Sequence, residues 1–200
     1  MQKSKTNTSK PAMHPIILCS GGIDSLALVV KAVMLGREPL LFHVQYDHPA
    51  AEKELQAATR IWKAFAGSCK LHLHKMEIIA NALAIGEGKE GPRFVRGRNL
   101  MFIAAAINAS VLGNYNQIWL GATKEDQEDY WDCRNDFFYT LNFAIQDPIS
   151  ITAPLIMMSR KDVLAMIPKP LLSLTWSCYQ PIGGYPCGKC NSCKQGGLNA

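Results

Sequence analysis

The sequence predicts an α/β protein with a doubly wound, mainly parallel sheet, helices on both faces and a small cysteine-rich segment at the C-terminus. Three observations predict it. Apolar runs of strand length alternate with amphipathic stretches of helix length, the order that packs helices against a parallel sheet. A Ser-Gly-Gly turn joins the first strand to the first helix. Regular periodicity then ends near Ile167, and glycines, prolines and four closely spaced cysteines follow.

The elements follow in order. Ile16-Ile17-Leu18-Cys19 reads as a buried strand, and Leu26 to Leu35 as a helix closed by Gly36. Pro39 to Tyr46 is rich in Val and aromatic residues and suits a second strand. Asp47-His48-Pro49 turns the chain into a helix from Ala50 to Phe65, whose stripe is Leu55, Ala58, Ile61, Trp62 and Phe65. Cys69 to Met76 alternates as a third strand, with His72 and His74 sharing a face in a structural role, and a short helix is expected from about Glu77 to Ile85. A glycine-rich loop, Gly86 to Pro92, leads through Arg96, Gly97, Arg98 and Asn99 into an apolar helix, Leu100 to Leu112, predicted to be buried on most sides. Gln117 to Thr123 is the next strand. It opens into an acidic, aromatic loop, Lys124 to Arg134, at the strand end where open α/β sheets bind ligands. Phe137 to Ala144 reads as a helix, Ile149 to Leu155 as a last strand, and Ser159 as the cap of a helix reaching Ile167. The chain thus divides into a disordered tail over residues 1–13, an α/β domain over 14–167 and a C-terminal segment over 168–200.

The chemistry concentrates in Ser20-Gly21-Gly22-Ile23-Asp24-Ser25. Two residues without Cβ atoms let backbone N–H groups approach a phosphate, and the first helical turn adds unpaired donors and the positive end of its dipole. Ser20 and Ser25 add hydroxyl donors. Asp24 carries the wrong charge for a polyanion, so it is expected to cap the helix or to hold Mg²⁺ between phosphates. The order differs from G-x-x-x-x-G-K-[ST], with no lysine at the corresponding place.

Composition sets limits. Two hundred residues with 48% hydrophobic and 18% charged content fit one ordinary globular domain. No apolar run is long enough to span a membrane, and the polar, basic start has no secretory h-region, so a cytoplasmic protein is expected. A net charge of +5 suits anionic substrates, and no basic stripe with aromatics points to nucleic acid.

Cys178, Cys187, Cys190 and Cys193 are separated by eight, two and two residues. Four thiolates without a neighbouring His favour closed, tetrahedral Zn²⁺, although an iron–sulfur cluster takes the same ligands. Cys19 and Cys69 read as packing residues, and Cys133 as the one candidate nucleophile.

The six-residue loop resembles the PP-loop of N-type ATP pyrophosphatases, in an adenine nucleotide alpha hydrolase-like fold. Together with Gly97-Arg98-Asn99, Asp129-Tyr130-Trp131-Asp132-Cys133-Arg134, Trp176-Ser177-Cys178 and Cys187-Gly188-Lys189-Cys190-Asn191-Ser192-Cys193, the order of motifs over residues 15–197 resembles the QueC family of 7-cyano-7-deazaguanine synthases. The resemblance implies an ATP-dependent ligase that adenylates 7-carboxy-7-deazaguanine and reacts it with ammonia, first to the amide and then to the nitrile preQ0. It implies ATP with Mg²⁺ at Cys19, Ser20, Gly21, Gly22, Ile23, Asp24, Ser25, Leu26, Arg98 and Asn99, with Ser20, Asp24, Ser25 and Arg98 closest to the chemistry. It places the deazaguanine at Asp129, Tyr130, Asp132 and Arg134, and Zn²⁺ at Cys178, Cys187, Cys190 and Cys193. A homodimer is implied as well. Where the family's second strand ends in Tyr-Gly-Gln-Arg-His, this chain reads Tyr46-Asp47-His48-Pro49-Ala50. That departure leaves three products open: the nitrile, the amide, or a conjugate with another amine. A PP-loop tRNA-modifying enzyme is the competing class.

Overall fold

The computed structural model describes residues 13–78, 95, 97–146 and 148–194. The tail before Met13, Arg96, the loop Gly86 to Pro92 and nearly all of the helix expected from Glu77 to Ile85 lie outside the described residues.

Five parallel strands form one sheet in the order β3-β2-β1-β4-β5. They are β1 His14–Leu18, β2 Leu40–Gln45, β3 Lys70–Lys75, β4 Tyr115–Trp119 and β5 Ser150–Thr152. Successive side chains of a strand point to opposite faces, and the interior divides accordingly. Ile17, Leu41, Trp119 and Leu155 face α1 (Ile23–Met34), α2 (Ala51–Ala64) and α6 (Arg160–Ala165). Ile16, Phe42, Val44, Ile118 and Ile151 face α3 (Arg98–Ala109) and α5 (Asn135–Ile145). The central strands β1 and β2 are buried on both faces, which is why they read as unbroken apolar runs. Edge strand β3 alternates and carries Lys70 and Lys75 exposed at its ends, charges that discourage pairing with another edge. His72 and His74 both stack on Phe42, with centroids 5.3 Å away, in keeping with a structural role.

Helix α1 begins at Ile23, three residues before the apolar run. It ends at Gly36, whose φ of 66° lets the Gly36 and Arg37 N–H groups return to the carbonyls of Val33 and Ala32, a Schellman closure. Of the two roles expected for Asp24, the cap is not taken, because Gly22 occupies the N-cap and Asp24 lies in the first turn; the burial expected of the next apolar helix is not met either. Helix α3 starts at Arg98 and buries only the stripe Ile103, Ala106 and Ala109, while Leu100 stays 46% exposed and Val111, in the 3₁₀ turn that follows, 83%. It covers one face of the sheet and nothing covers it in turn among the described residues, so its apolar composition overstates its burial.

Running along α1 and α2, the C-terminal segment opens with a 3₁₀ stretch, Lys169–Leu174. Arg60 of α2 donates to the Leu174 carbonyl at 3.2 Å, and Lys53 lies 5.3 Å from the Trp176 ring centre. Trp176, Cys178 and Cys190 bury themselves against Ala57 of α2.

Candidate active site

The strand order reverses between β1 and β4. In open α/β sheets the crevice at such a switch point, beyond the strand carboxyl ends, receives the ligand. Ser20 to Ser25 leaves β1 at this point. The Ser25 hydroxyl accepts from the Ser20 N–H at 3.1 Å and lies 3.3 Å from the Ser20 hydroxyl, so the two serines brace one another. Gly21 has a φ of +84°, and a Cβ built there would come within 2.7 Å of the Ala57 Cβ and the Glu54 carbonyl. Only glycine fits a loop pressed this closely onto α2. From the other side the Trp176 N–H donates to the Gly21 carbonyl at 3.0 Å.

Asp24 meets a residue that the sequence did not single out. Arg160 Nη1 lies 3.0 Å from each Asp24 carboxylate oxygen. Arg160 is the first residue of α6, behind a capping box of Ser159 and Asp162, and its N–H donates to the exposed Glu125 carboxylate at 3.0 and 3.2 Å. Burial pushes the Asp24 carboxyl up to about 6, against the pull of the Arg160 guanidinium. With 24% of its side-chain surface accessible and this partner, Asp24 is ionised at neutral pH. A carboxylate and a guanidinium thus stand at the mouth of a phosphate loop, a donor set that fits Mg²⁺ and phosphate oxygens.

On the far wall, Gly97 adopts a φ of 69° as the N-cap of α3, turning Arg98 and Asn99 into the crevice. Arg98 donates to the Tyr46 hydroxyl at 3.3 Å, and Tyr46 stacks on His48 with centroids 4.3 Å apart. His48 Nε2 lies 3.8 Å from Glu54 Oε2. Burial lowers His48 to about 4, helped by Arg98, and raises Glu54 to about 7 in spite of Arg98. The imidazole is therefore neutral at pH 7, and this approach is not an ion pair. Asn99 Nδ2 reaches Cys133 Sγ at 4.0 Å, beside Asp132, which is buried and raised by that burial while Arg98 and Asn99 oppose the rise. Tyr179, beside Cys178, is 45% exposed over the whole residue, with its hydroxyl pushed up to about 12 by desolvation and then by Tyr130 and Asp126. A chain of contacts links the two walls, from Gly21 to Glu54, His48, Tyr46 and Arg98.

The loop predicted to bind substrate is two short turns, α4 Asp126–Asp129 and a 3₁₀ turn Trp131–Cys133. It does not act as a unit. Asp132 points inward, Tyr130 is half-buried, and Asp129 and Arg134 are exposed, with Arg134 Nε donating to the Gln127 carbonyl at 3.0 Å to close the loop. Burial, then Asp132, pushes the Cys133 thiol up to about 12, which removes its nucleophile reading. Cys19, Ile23 and Leu26 turn their side chains into the core. The Cys19 N–H serves the Phe42 carbonyl, and its own carbonyl is 2.8 Å from His43 Nδ1. Arg160, Glu54 and Tyr179 are site residues that sequence reasoning missed; the cap at Ser159 was the only local signal near any of them.

The sulfurs of Cys178, Cys187, Cys190 and Cys193 all lie within 4.8 Å of one another. The Cys187 N–H donates to Cys178 Sγ at 3.2 Å and the Cys190 N–H to Cys187 Sγ at 3.3 Å, bonds that orient the sulfurs and favour their thiolate form. Tetrahedral Zn–S bonds of about 2.3 Å put sulfurs about 3.8 Å apart. The spacing fits a single ion, whereas a multi-iron cluster would spread the ligands further.

A phosphate loop without a Walker lysine, at the switch point of a parallel sheet and faced by Arg98 and Arg160, defines an ATP-using protein of the PP-loop class. Its family follows from comparison. The family model described as queuosine biosynthesis protein QueC matches residues 14–197, and the chain belongs to that family. It is 32% identical over 205 residues to the 7-cyano-7-deazaguanine synthase of Methanothrix thermoacetophila, covering 90% of each chain. It is 30% identical over 202 residues to that of Chlorobaculum tepidum, covering 90% of this chain and 88% of the relative. Among solved structures it is similar to NMN synthetase from Francisella tularensis, with a TM-score of 0.56 at 17% identity over 93% of this chain and 73% of the other. It is also similar to the U34-tRNA thiolase NcsA from Methanococcus maripaludis with its [4Fe-4S] cluster, at 0.53 and 13% over 92% and 65%. At such identities these two bear on the fold alone.

Proposed function

We propose that this chain is a 7-cyano-7-deazaguanine synthase: it uses one ATP to activate the carboxylate of 7-carboxy-7-deazaguanine and passes the acyl group to ammonia, giving the amide, and a second ATP to adenylate the amide oxygen, which leaves with AMP to give the nitrile. The observation that carries the reading is the juxtaposition of the Ser20–Ser25 loop with the Arg98, Asn99 and Asp132 wall in a chain of the QueC family. A carboxylate is a poor acyl donor. Its oxygen attacks the α-phosphorus of ATP, pyrophosphate leaves, and the resulting mixed anhydride has AMP as a good leaving group. Gly21, Gly22, Ser20 and Ser25 would hold the pyrophosphate, Asp24 would hold Mg²⁺, and Arg160 and Arg98 would balance charge as it develops. Mg²⁺ supplies neutralisation of the phosphates. Asn99, Asp132 and Tyr130 would meet the guanine-like edge and face, and the exposed Asp129 and Arg134 the rim.

The Cys178, Cys187, Cys190 and Cys193 site is assigned to structural Zn²⁺ on the sulfur spacing. Domains of 14–167 and 168–200, a cytoplasmic setting suited to clustered thiols, and a homodimer belong to the same reading. The departure at Tyr46-Asp47-His48 favours one second reading, in which the reaction stops at the amide. Incubating zinc-loaded protein with 7-carboxy-7-deazaguanine, ammonium, Mg²⁺ and ATP, and weighing purine and nucleotide products by mass spectrometry, tests both. Nitrile with AMP is expected, amide alone selects the second reading, and AMP without any altered purine rejects the substrate.

A further inference from the structure

We propose that a small amine, ammonia foremost, is received in a cavity between β2 and α2, and that Glu54 takes its proton across His48. The proposal rests on the carboxylate-activation reading above. The cavity measures about 80 Å³, and its lining includes His43, Gln45, His48, Ala51, Leu55 and the exposed Glu52. Since about 10–15 Å³ of such space holds one water, it has room for ammonia together with several waters, or for a small primary amine.

Its polar lining offers acceptors to an N–H donor. His43 is 3% exposed, and its Nδ1 sits 2.8 Å from the Cys19 carbonyl. A carbonyl only accepts, so Nδ1 carries the proton and Nε2 is left as an acceptor. Burial keeps His43 neutral, and burial with Arg98 does the same for His48. An amine attacks only through a free nitrogen lone pair, so a proton must leave ammonium before the C–N bond forms. His48 connects the cavity to the base, because it lines the cavity while its Nε2 lies 3.8 Å from Glu54 Oε2. Glu54 in turn stands against the phosphate loop, its carbonyl pressed on Gly21, and feels Arg98 from α3. Asp47 and His43 are the other titratable groups acting on His48. Held near 7 by burial, the Glu54 carboxyl is matched to proton transfer at neutral pH.

The step balances as follows. Ammonium gives one proton to the Glu54 carboxylate. The nitrogen lone pair of ammonia forms the C–N bond at the acyl carbon, and the C–O bond to AMP breaks with its electron pair on the phosphate oxygen. The second proton leaves nitrogen for solvent through His48, completing the amide.

The test separates this site from the activation step. ATP–pyrophosphate exchange dependent on 7-carboxy-7-deazaguanine needs no amine, and hydroxylamine is an amine already uncharged at neutral pH. Relative to its own exchange rate, Glu54→Gln is expected to lose about 100-fold in kcat/KM for ammonium and to keep most hydroxylamine turnover. Ala51→Leu, which fills the cavity without touching the base, is expected to raise the KM for ammonium with exchange unchanged. Normal ammonium turnover in both variants, or equal losses with ammonium and hydroxylamine in Glu54→Gln, overturns the amine site while leaving the activation reading standing. No exchange in the unaltered protein overturns both.

Discussion

Asp24 and two glycines near it, Gly21 and Gly121, are tightly constrained. A Cβ built on Gly121, just past β4, would stand 2.9 Å from the Asp24 Cβ, so Gly121→Ala must displace the carboxylate or the strand end. A loss of about 1–3 kcal/mol in urea unfolding and a larger loss of Mg²⁺–ATP affinity by calorimetry are expected. Gly21→Ala should be worse, since it adds a strained φ to the clash. Asp24 also sets a pH dependence. Its folded value of about 6 lies above the ordinary carboxyl range, so its favourable contribution to folding is complete below about pH 4 and is lost as pH rises through 6. Ligand binding runs the opposite way, because Mg²⁺ needs the ionised carboxylate. Mg²⁺–ATP affinity should therefore fall as pH drops through 6, a fall absent from the already weak Asp24→Asn variant.

At the scale of elements, two short pieces of chain place side chains far from where sequence would put them. The Ser159 cap fixes the first turn of α6, and with it Arg160. Ser159→Ala should cost about 1 kcal/mol in thermal or urea melts and also weaken ATP, a double effect that a mere surface cap would not show. The C-terminal segment reaches the phosphate loop through the Trp176 N–H and the crevice through Tyr179. Its small cluster of Trp176, Cys178 and Cys190 on Ala57 is meagre, and a metal held by the four thiols would supply much of its order. One zinc per chain by elemental analysis is expected. Stripping it, or Cys190→Ser, should raise the Kd for ATP and change Trp176 fluorescence; unchanged affinity would separate the segment from the site.

Among the described residues, one side of the sheet carries uncovered apolar side chains. Tyr139 and Phe143, one turn apart on α5, are 77% and 71% exposed, and Leu100 of α3 with Val111 and Leu112 of the turn after it are exposed on the same side of the sheet. Clustered aromatic and aliphatic exposure of this kind marks an interface, so sedimentation should find a dimer that Tyr139→Glu with Phe143→Glu converts to a monomer without loss of secondary structure. Much at this scale was legible in the chain. Strand and helix alternation, the two-faced core and the closure at Gly36 all follow from residues close in sequence. The over-burial expected of Leu100 to Leu112 was not correct, because a run of apolar residues does not reveal how many neighbours will cover it.

By itself the sequence determined the phosphate loop, the four-thiol metal site and the parallel α/β class, because each depends on backbone conformation or spacing within about twenty residues. Only the tertiary structure decided the order β3-β2-β1-β4-β5, and with it the meeting of Asp24 with Arg160, of Glu54 with His48 and Arg98, and of Asp132 with Asn99. The physical reason is that buried parallel strands have interchangeable apolar patterns, compatible with many orders. The polar partners at their ends become neighbours only once one order has been packed.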